Sequence, residues 1–340
     1  MKIRGFLSLW RMERKLKTRL PWTDTLRAWS HGFSRWTYSM YGLHRNDLRL
    51  YISDRTQFTL FDGINGPHRP AAQQKAIFAK YLEFLGVPSP AVLAVVIRGR
   101  IYDAVDLSPT AGWPWLRERL EERAPGVVLK PLKGCEGIGV AFLRKDRSGC
   151  RLDGLPRTEN EAAAYISGLD DFMITEVAIQ HEYASRIYPG TTNTLRLLTL
   201  WDYDAEAPFL AQAVHRIGTR RSFPVDNFKM GAGGLSAWID IGTGELGPAA
   251  CKPDMGDVEW HDTHPETGAP IRGVRLPRWK ETTEDILRRA ARLPFIPFIG
   301  WDVVLTGDGY QVLELNPGSG FFLFQVPQPP LADPRIRRFF

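Results

Sequence analysis

The sequence predicts an α+β fold with a helical segment added at its amino terminus, and three observations carry that prediction. Helical apolar spacing recurs over residues 70–85, 113–124, 159–169 and 281–292. Between these stretches lie apolar runs of strand length, at residues 93–97, 126–131, 140–143, 172–177, 194–200 and 209–217. Glycine-centred turns then join strand pairs near residues 242–244 and 307–309, which is hairpin chemistry. A chain of 340 residues is long enough for two or three packed subdomains. Its 44% apolar and 24% charged content are those of a soluble globular protein, and no run approaches the ~20 apolar residues of a membrane-spanning helix.

Residues 1–60 form the basic helical segment. Two or more helices are expected over 1–50, broken near Pro21, with basic side chains interleaved among Phe6, Trp10, Trp22, Trp29, Phe33 and Trp36. Residues 1–55 hold twelve Lys/Arg against four acids, so this segment is +8 while the rest of the chain sums to −2. Such a segment either caps the main body with its aromatics or rests on a partner or an anionic membrane surface. The near-neutral remainder, without an RNA-binding or helix-turn-helix signature, argues against nucleic acid. The apolar run that follows Met1 ends at Arg11, too short for a secretory signal, and Cys135, Cys150 and Cys251 have no paired or metal-ligand spacing. A reduced, cytoplasmic protein is expected, with a peripheral place at the inner membrane face left open.

Residues 61–125 read as a compact α/β unit: a helix stopped at Gly86, a short strand over Leu93–Ile97, and a helix over 113–124. Residues 126–325 hold the chemistry, and 326–340 form a tail. The strand at 126–131 carries Lys130 at its end, and the glycine-rich turn Lys133-Gly134-Cys135-Glu136-Gly137-Ile138-Gly139 follows it. A glycine flap between strands brings backbone N–H groups close to a phosphate, and a lysine beneath it supplies a point charge. It is not a Walker A loop, since no Gly-Lys-Ser/Thr opens a helix here; alone it is an ordinary hairpin. Glu176 and Glu182, at and beyond the 172–177 strand, are candidates for adenine and ribose contacts or plain surface acids. Arg196 and Arg216 sit in apolar strands, where an unpaired charge is costly; a phosphate, a carboxylate ligand or a structural acid would satisfy each. The 218–234 loop is longer than most connections, and loops of that length are often functional. His261, Asp262 and His264 read as turn chemistry rather than a metal site.

The hairpin over 300–318 organises the rest. Glu314 and Asn316 are two apart and leave the same strand face, and antiparallel pairing brings Asp302 opposite them. Two carboxylates and an amide oxygen make a set of hard ligands suited to Mg²⁺.

Together these residues resemble the ATP-grasp superfamily over roughly residues 70–320. The resemblance rests on Val128–Pro131, the glycine flap, Asn193-Thr194-Leu195-Arg196, His215-Arg216-Ile217, Asp226-Asn227-Phe228 with Gly233-Gly234, and Asp302 with Glu314 and Asn316. It is most similar to the sugar-transfer associated ATP-grasp group, near α-L-glutamate-ligase-like proteins. Phrases typical of that group, Asn-Thr-Leu-Arg (193–196), Gly-Gly through Thr-Gly (233–244), His-Pro-Glu-Thr-Gly (264–268) and Gly-Trp-Asp (300–302), are all present. The resemblance implies two α+β subdomains clamping ATP, with Mg²⁺ (or Mn²⁺) held by Asp302, Glu314 and Asn316. It implies phosphate binding by Lys130 and by a helix-borne lysine, Lys75 with Lys80 one turn away. Glu176 and Val177 fall at the adenine hinge, Arg196 and Arg216 hold the γ-phosphate and the acyl intermediate, and Lys229 serves substrate from the 218–234 loop.

The implied reaction is ADP-forming ligation of a small-molecule carboxylate to an amine or hydroxyl acceptor, in cell-envelope polysaccharide or natural-product assembly. A kinase with the same metal set and a silent nucleotide-binding protein are the alternatives. Silence would be expected to show as loss of a metal ligand or of Lys130, and all are in place.

Overall fold

Two seven-stranded antiparallel sheets form the body of the protein. The computed structural model describes residues 9–10, 13, 18–72, 74–123, 125–134, 137–147, 149–228, 232–252 and 257–340. Cys135 and Lys229 lie outside the described residues.

The first sheet is built from β1 (Val92–Ile97), β2 (Arg100–Asp103), β3 (Val127–Pro131), β4 (Ala141–Asp146), β5 (Gly149–Leu152), β6 (Leu155–Arg157) and β7 (Phe172–Glu176), in the order β2-β1-β7-β3-β4-β5-β6. The strands of the 61–125 stretch therefore share one sheet with those of 126–176. Strand alternation divides its faces. Val127, Leu129, Ala141 and Leu143 pack with Leu116 and Leu120 of helix Trp113–Glu122 and with Ala162 and Ile166 of helix Glu159–Ser167. Val128, Lys130 and Phe142 leave the other face and line a cavity. Helix Glu159–Ser167 begins in a full capping box, Thr158 with Glu161.

The second sheet holds β8 (Thr194–Asp202), β9 (Ala207–Ile217), β10 (Leu235–Ile239), β11 (Leu246–Cys251), β12 (Glu259–His261), β13 (Phe298–Leu305) and β14 (Tyr310–Asn316). Their order is β12-β11-β10-β9-β8-β13-β14. Leu195, Leu197, Trp301 and Val303 face a core closed by helix Trp279–Ala291, and the Trp301 indole, fully buried, donates to Thr199 Oγ1 at 2.9 Å. Leu198, Leu200 and Phe298 face the opposite way, onto Phe33, Tyr38, Tyr41 and Ile52.

The amino-terminal segment is thus a cap on the second sheet. Its helices run over Trp22–Ser30, Arg35–Met40 and Asp54–Ile64. The last was not expected, although Ser53 caps it by accepting from the Thr56 N–H at 3.2 Å. Asn65, just past its end, donates to the carbonyls of Phe298 and Pro317 and accepts from the Phe298 N–H, tying the cap to both ends of the β13–β14 hairpin. Residues 326–340 are no loose tail: Ile336 of helix Pro334–Phe339 is buried, and Phe339 and Phe340 pack against Phe298 and Phe321. Among the described residues no helix is long and apolar enough to cross a membrane.

One buried acid in the cap makes its stability sensitive to pH. Asp54 accepts from Thr37 Oγ1 at 2.5 Å and from the Ser34 N–H at 2.7 Å, yet burial pushes its carboxyl up to about 6. The folded state binds this proton more tightly than the unfolded chain, so the associated stability is full below the unfolded value of 3.8 and is lost as pH rises through about 6. We expect unfolding stability to fall by about 2–3 kcal/mol on that account between pH 4 and 7. Asp54→Asn should flatten this step in a urea titration repeated across pH; an unchanged slope would refute it.

Candidate active site

The second sheet positions the site by register alone. Asp302 on β13 lies opposite Glu314 on β14 and opposite Arg196 on β8, while Gly300 lies opposite Asn316. Asp302, Glu314 and Asn316 therefore share a face with Arg196, as strand alternation required. Gly300 is the residue that lets the next turn in: a Cβ there would sit 2.7 Å from the Cβ of Ser319. Ser319 in turn accepts from Arg196 Nη1 at 2.9 Å.

Both arginines are satisfied by acids of the protein itself. Arg196 forms a forked pair with Asp302, through Nε to Oδ1 and Nη2 to Oδ2, the latter at 3.0 Å. Arg216 Nη2 lies 3.2 Å from Asp302 Oδ2 and 3.3 Å from Asp226 Oδ1, and donates to Thr194 Oγ1 at 2.6 Å. Asp226 accepts the Thr194 N–H at 2.7 Å, locking the middle of the 218–234 loop onto β8. Burial raises the Asp302 carboxyl, but the two guanidiniums more than offset it and hold it below the usual range. For Asp226 the balance reverses, and burial keeps it raised against Arg216. His215, between Tyr183 Oη and the Arg216 carbonyl at 3.0 Å each, is pushed by burial to about 4 and stays neutral.

Across from this network stand two lysines. Lys75 opens helix Lys75–Phe84 and places Nζ 3.6 Å from Glu314 Oε1. Lys130, at the end of β3, is pushed down to about 8, burial outweighing the attraction of Glu314 and Asp302 while Lys75 adds to the shift. Burial likewise raises Glu314, against the pull of Lys75. Lys80 is exposed and pairs with Glu83 at 3.0 Å, so the helix-borne lysine at the site is Lys75.

These side chains line one cavity of about 390 Å³ between the open faces of the two sheets. It brings together Lys75, Lys130, Gly137, Glu176, Arg196, Arg216, Asp302, Glu314 and Asn316 from the expected set. Four expected residues are not in its wall: Lys133, which is exposed and 3.7 Å from Asp171, and Gly134, Val177 and Glu182. Glu182 instead pairs with Arg186 on an exposed helix face. Glu176 is in the wall but spends Oε1 on Arg123 at 3.3 Å.

Residues that had been given no role at the site, several of them within the quoted motifs, complete the wall. Thr194, Asp226 and Ser319 are polar; Val128, Val140, Phe142 and Leu313 form an apolar slot, and Val225, Phe228 and Phe322 a second apolar wall. Gly137 meets that second wall directly, since its φ of +67° and a Cβ 2.9 Å from Val225 Cγ2 leave room for glycine only. The Arg-Ser-Phe-Pro-Val-Asp-Asn-Phe run within the long loop was the one signal for it.

The oxygen set fits a hard cation. Asp302 has about four lone-pair sites and its guanidinium partners use three. Glu314 is met by Lys75 only beyond hydrogen-bond length. Asn316 Nδ2 is buried and makes no hydrogen bond of good geometry among the described residues, and the Asn316 side chain helps to hold the Asp302 carboxyl down.

Comparison with known proteins gives the chain a family. The family model for sugar-transfer associated ATP-grasp proteins matches residues 64–339. No curated protein matches significantly. Similar solved structures include ATP-grasp ligase PsnB complexed with a phosphomimetic variant of minimal precursor, Mg and ADP, at 16% identity and a TM-score of 0.39. That likeness covers 82% of this chain and 61% of the PsnB chain, so the chain spans less than two thirds of it. The RimK domain ATP-grasp protein from Sphaerobacter thermophilus DSM 20745 is similar at 14% identity, over 79% of this chain and 70% of that one, with a TM-score of 0.39. D-alanyl-alanine synthetase A from Vibrio cholerae O1 biovar eltor str. N16961 is similar at 13% identity, over 74% and 56%, with a TM-score of 0.39. With its site framed by the two sheets and the family model spanning residues 64–339 of 340, the chain belongs to the sugar-transfer associated ATP-grasp family.

Proposed function

We propose that the protein is an ADP-forming ligase that activates a substrate carboxylate with ATP and joins it to an amine or hydroxyl acceptor. The observation that carries this reading is the opposition, within one cavity, of Lys75 and Lys130 to Asp302, Glu314 and Asn316. Phosphoryl transfer asks for positioning and charge stabilisation rather than a protein nucleophile, and this arrangement provides both signs of charge.

In this reading the slot of Val128, Val140, Phe142 and Leu313 takes the adenine, with Glu176 at its edge. Lys130 and Lys75 hold the phosphates. Asp302, Glu314 and Asn316 would hold Mg²⁺, which when bound neutralises phosphate charge as a Lewis acid. Arg216 and Arg196, already fixed by Asp226, Asp302 and Ser319, present a rigid cationic edge to the γ-phosphate and the incoming carboxylate. The carboxylate oxygen attacks the γ-phosphorus, the bond to the β–γ bridging oxygen breaks, and ADP leaves. The acceptor then adds to the acyl carbon, the C–O bond to phosphate breaks, and the acceptor's proton departs. The apolar wall of Val225, Phe228 and Phe322 bounds the acceptor end.

The test is ³¹P NMR of the protein with Mg·ATP and a small-molecule cell extract, with and without hydroxylamine. We expect ADP, inorganic phosphate and a trapped hydroxamate. A new phosphoester resonance in place of inorganic phosphate would make the protein a kinase.

A further inference from the structure

The amino-terminal cap buries some of its aromatics and displays others. Phe33 and Trp36 pack into the core, at 2% and 9% exposure. Helix Trp22–Ser30 turns Thr25 and Ala28 inward, and at positions 22, 26 and 29 it sets Trp22, Leu26 and Trp29 outward, 67%, 48% and 39% exposed. The display is ordered. The two indoles meet edge to face at 6.1 Å, and Trp29 Nε1 donates to Glu13 Oε1, a carboxylate that also pairs with Arg35 at 2.7 Å. A stripe of large apolar side chains on one helix face calls for an occupant.

Charge says which. Residues 1–55 are net +8 in a chain whose remainder is −2, and Arg19 and Arg27 flank the stripe in exposed positions. At the carboxyl end of the same helix, His31 enters a second cleft of about 380 Å³ that also takes in Arg49, Arg55 and Arg337 and, among the described residues, has no Asp or Glu side chain in its wall. Arg49 is bound to Asp47, and Arg337 to the Leu331 carbonyl. The pattern is tryptophan and leucine in a band, with cations around it and a basic cleft beside it. Indoles favour the headgroup level of a bilayer, and each nearby Lys/Arg adds attraction to anionic lipid.

We propose that the amino-terminal cap docks the enzyme on an anionic phospholipid surface, with Trp22, Leu26 and Trp29 entering the headgroup layer and the basic cleft taking a lipid phosphate. The reading does not depend on the ligase chemistry, and its test needs no turnover.

The full chain is floated with phosphatidylcholine vesicles with and without phosphatidylserine, and tryptophan emission is followed. We expect binding and a blue shift with the phosphatidylserine vesicles alone, weakened by salt. Trp22→Ser with Trp29→Ser should lower the partition coefficient at least about tenfold. Arg27→Ala and Arg55→Ala should each lower it about fivefold. Leu26→Asp, a single exposed change, should also abolish the blue shift, and nucleotide affinity should be unchanged in all four variants. Equal partition of wild type and variants, equal binding to neutral vesicles, or no binding at all would overturn the proposal. Capture of an acidic protein in place of vesicles would overturn it in favour of a protein partner.

Discussion

Glu314→Gln is expected to reduce ATP turnover by at least about a thousandfold while leaving stability within about 1 kcal/mol of wild type. The two halves of this expectation have separate causes. Glu314 is loosely held by the protein: among the described residues its ion-pair partner is Lys75 at 3.6 Å, and its side chain is a third exposed. Burial already raises its carboxyl, so the fold gains little from the charge. The amide keeps the shape of the side chain and removes its charge toward a cation. Turnover followed by ³¹P NMR beside a urea melt checks both halves. Wild-type turnover in the variant would mean that the site is misplaced, and a large loss of stability would mean that Glu314 is a structural residue.

What could be read from the sequence was local. Asp302, Glu314 and Asn316 were legible because a Gly-Asp-Gly turn sets hairpin pairing and alternation then sets the face, both within fifteen residues. Lys130 was legible as a lysine ending an apolar strand. The fates of Arg196 and Arg216 were not, because Arg196 meets Asp302 across a β8–β13 pairing that joins distant parts of the chain. The sequence left a ligand and a structural acid as equal partners for each arginine, and the structure supplies acids. Of the two readings open for Glu182, a ribose contact or a plain surface acid, the sequence could not choose for a related reason. Being near a strand end in sequence does not bring a side chain into the cavity, and helix Glu182–Ile187 turns it to solvent. The apolar walls were legible only as motif, since Asp226-Asn227-Phe228 belonged to the resemblance but neither Phe228 nor Phe142 announces a cavity lining until two sheets face each other. The short β5, β6 and β12 carry too few residues for a period to emerge. Helix Asp54–Ile64, by contrast, had a readable signal in its Ser53 cap.

Asp302→Ala separates holding the fold from doing the chemistry in the opposite way to Glu314→Gln. Asp302 is 6% exposed and Arg196 8%, and the carboxylate takes both Arg196 and Arg216. Removing it leaves Arg216 its contacts to Asp226 and Thr194, but leaves Arg196 with Ser319. An uncompensated buried guanidinium costs about 3–5 kcal/mol, so the variant should unfold at markedly lower urea as well as lose turnover. A double variant decides between loss of a pair and loss of a packed volume. With Asp302→Leu and Arg196→Met together no unpaired guanidinium is left at position 196, Arg216 keeps Asp226, and most of the lost stability should return. Turnover should not, because the double variant restores neither the oxygen ligand nor the cationic edge. If Asp302→Ala cost under about 1 kcal/mol, the pair would be paying its own desolvation with nothing to spare, and Arg196 would be free to answer to a ligand rather than to the fold.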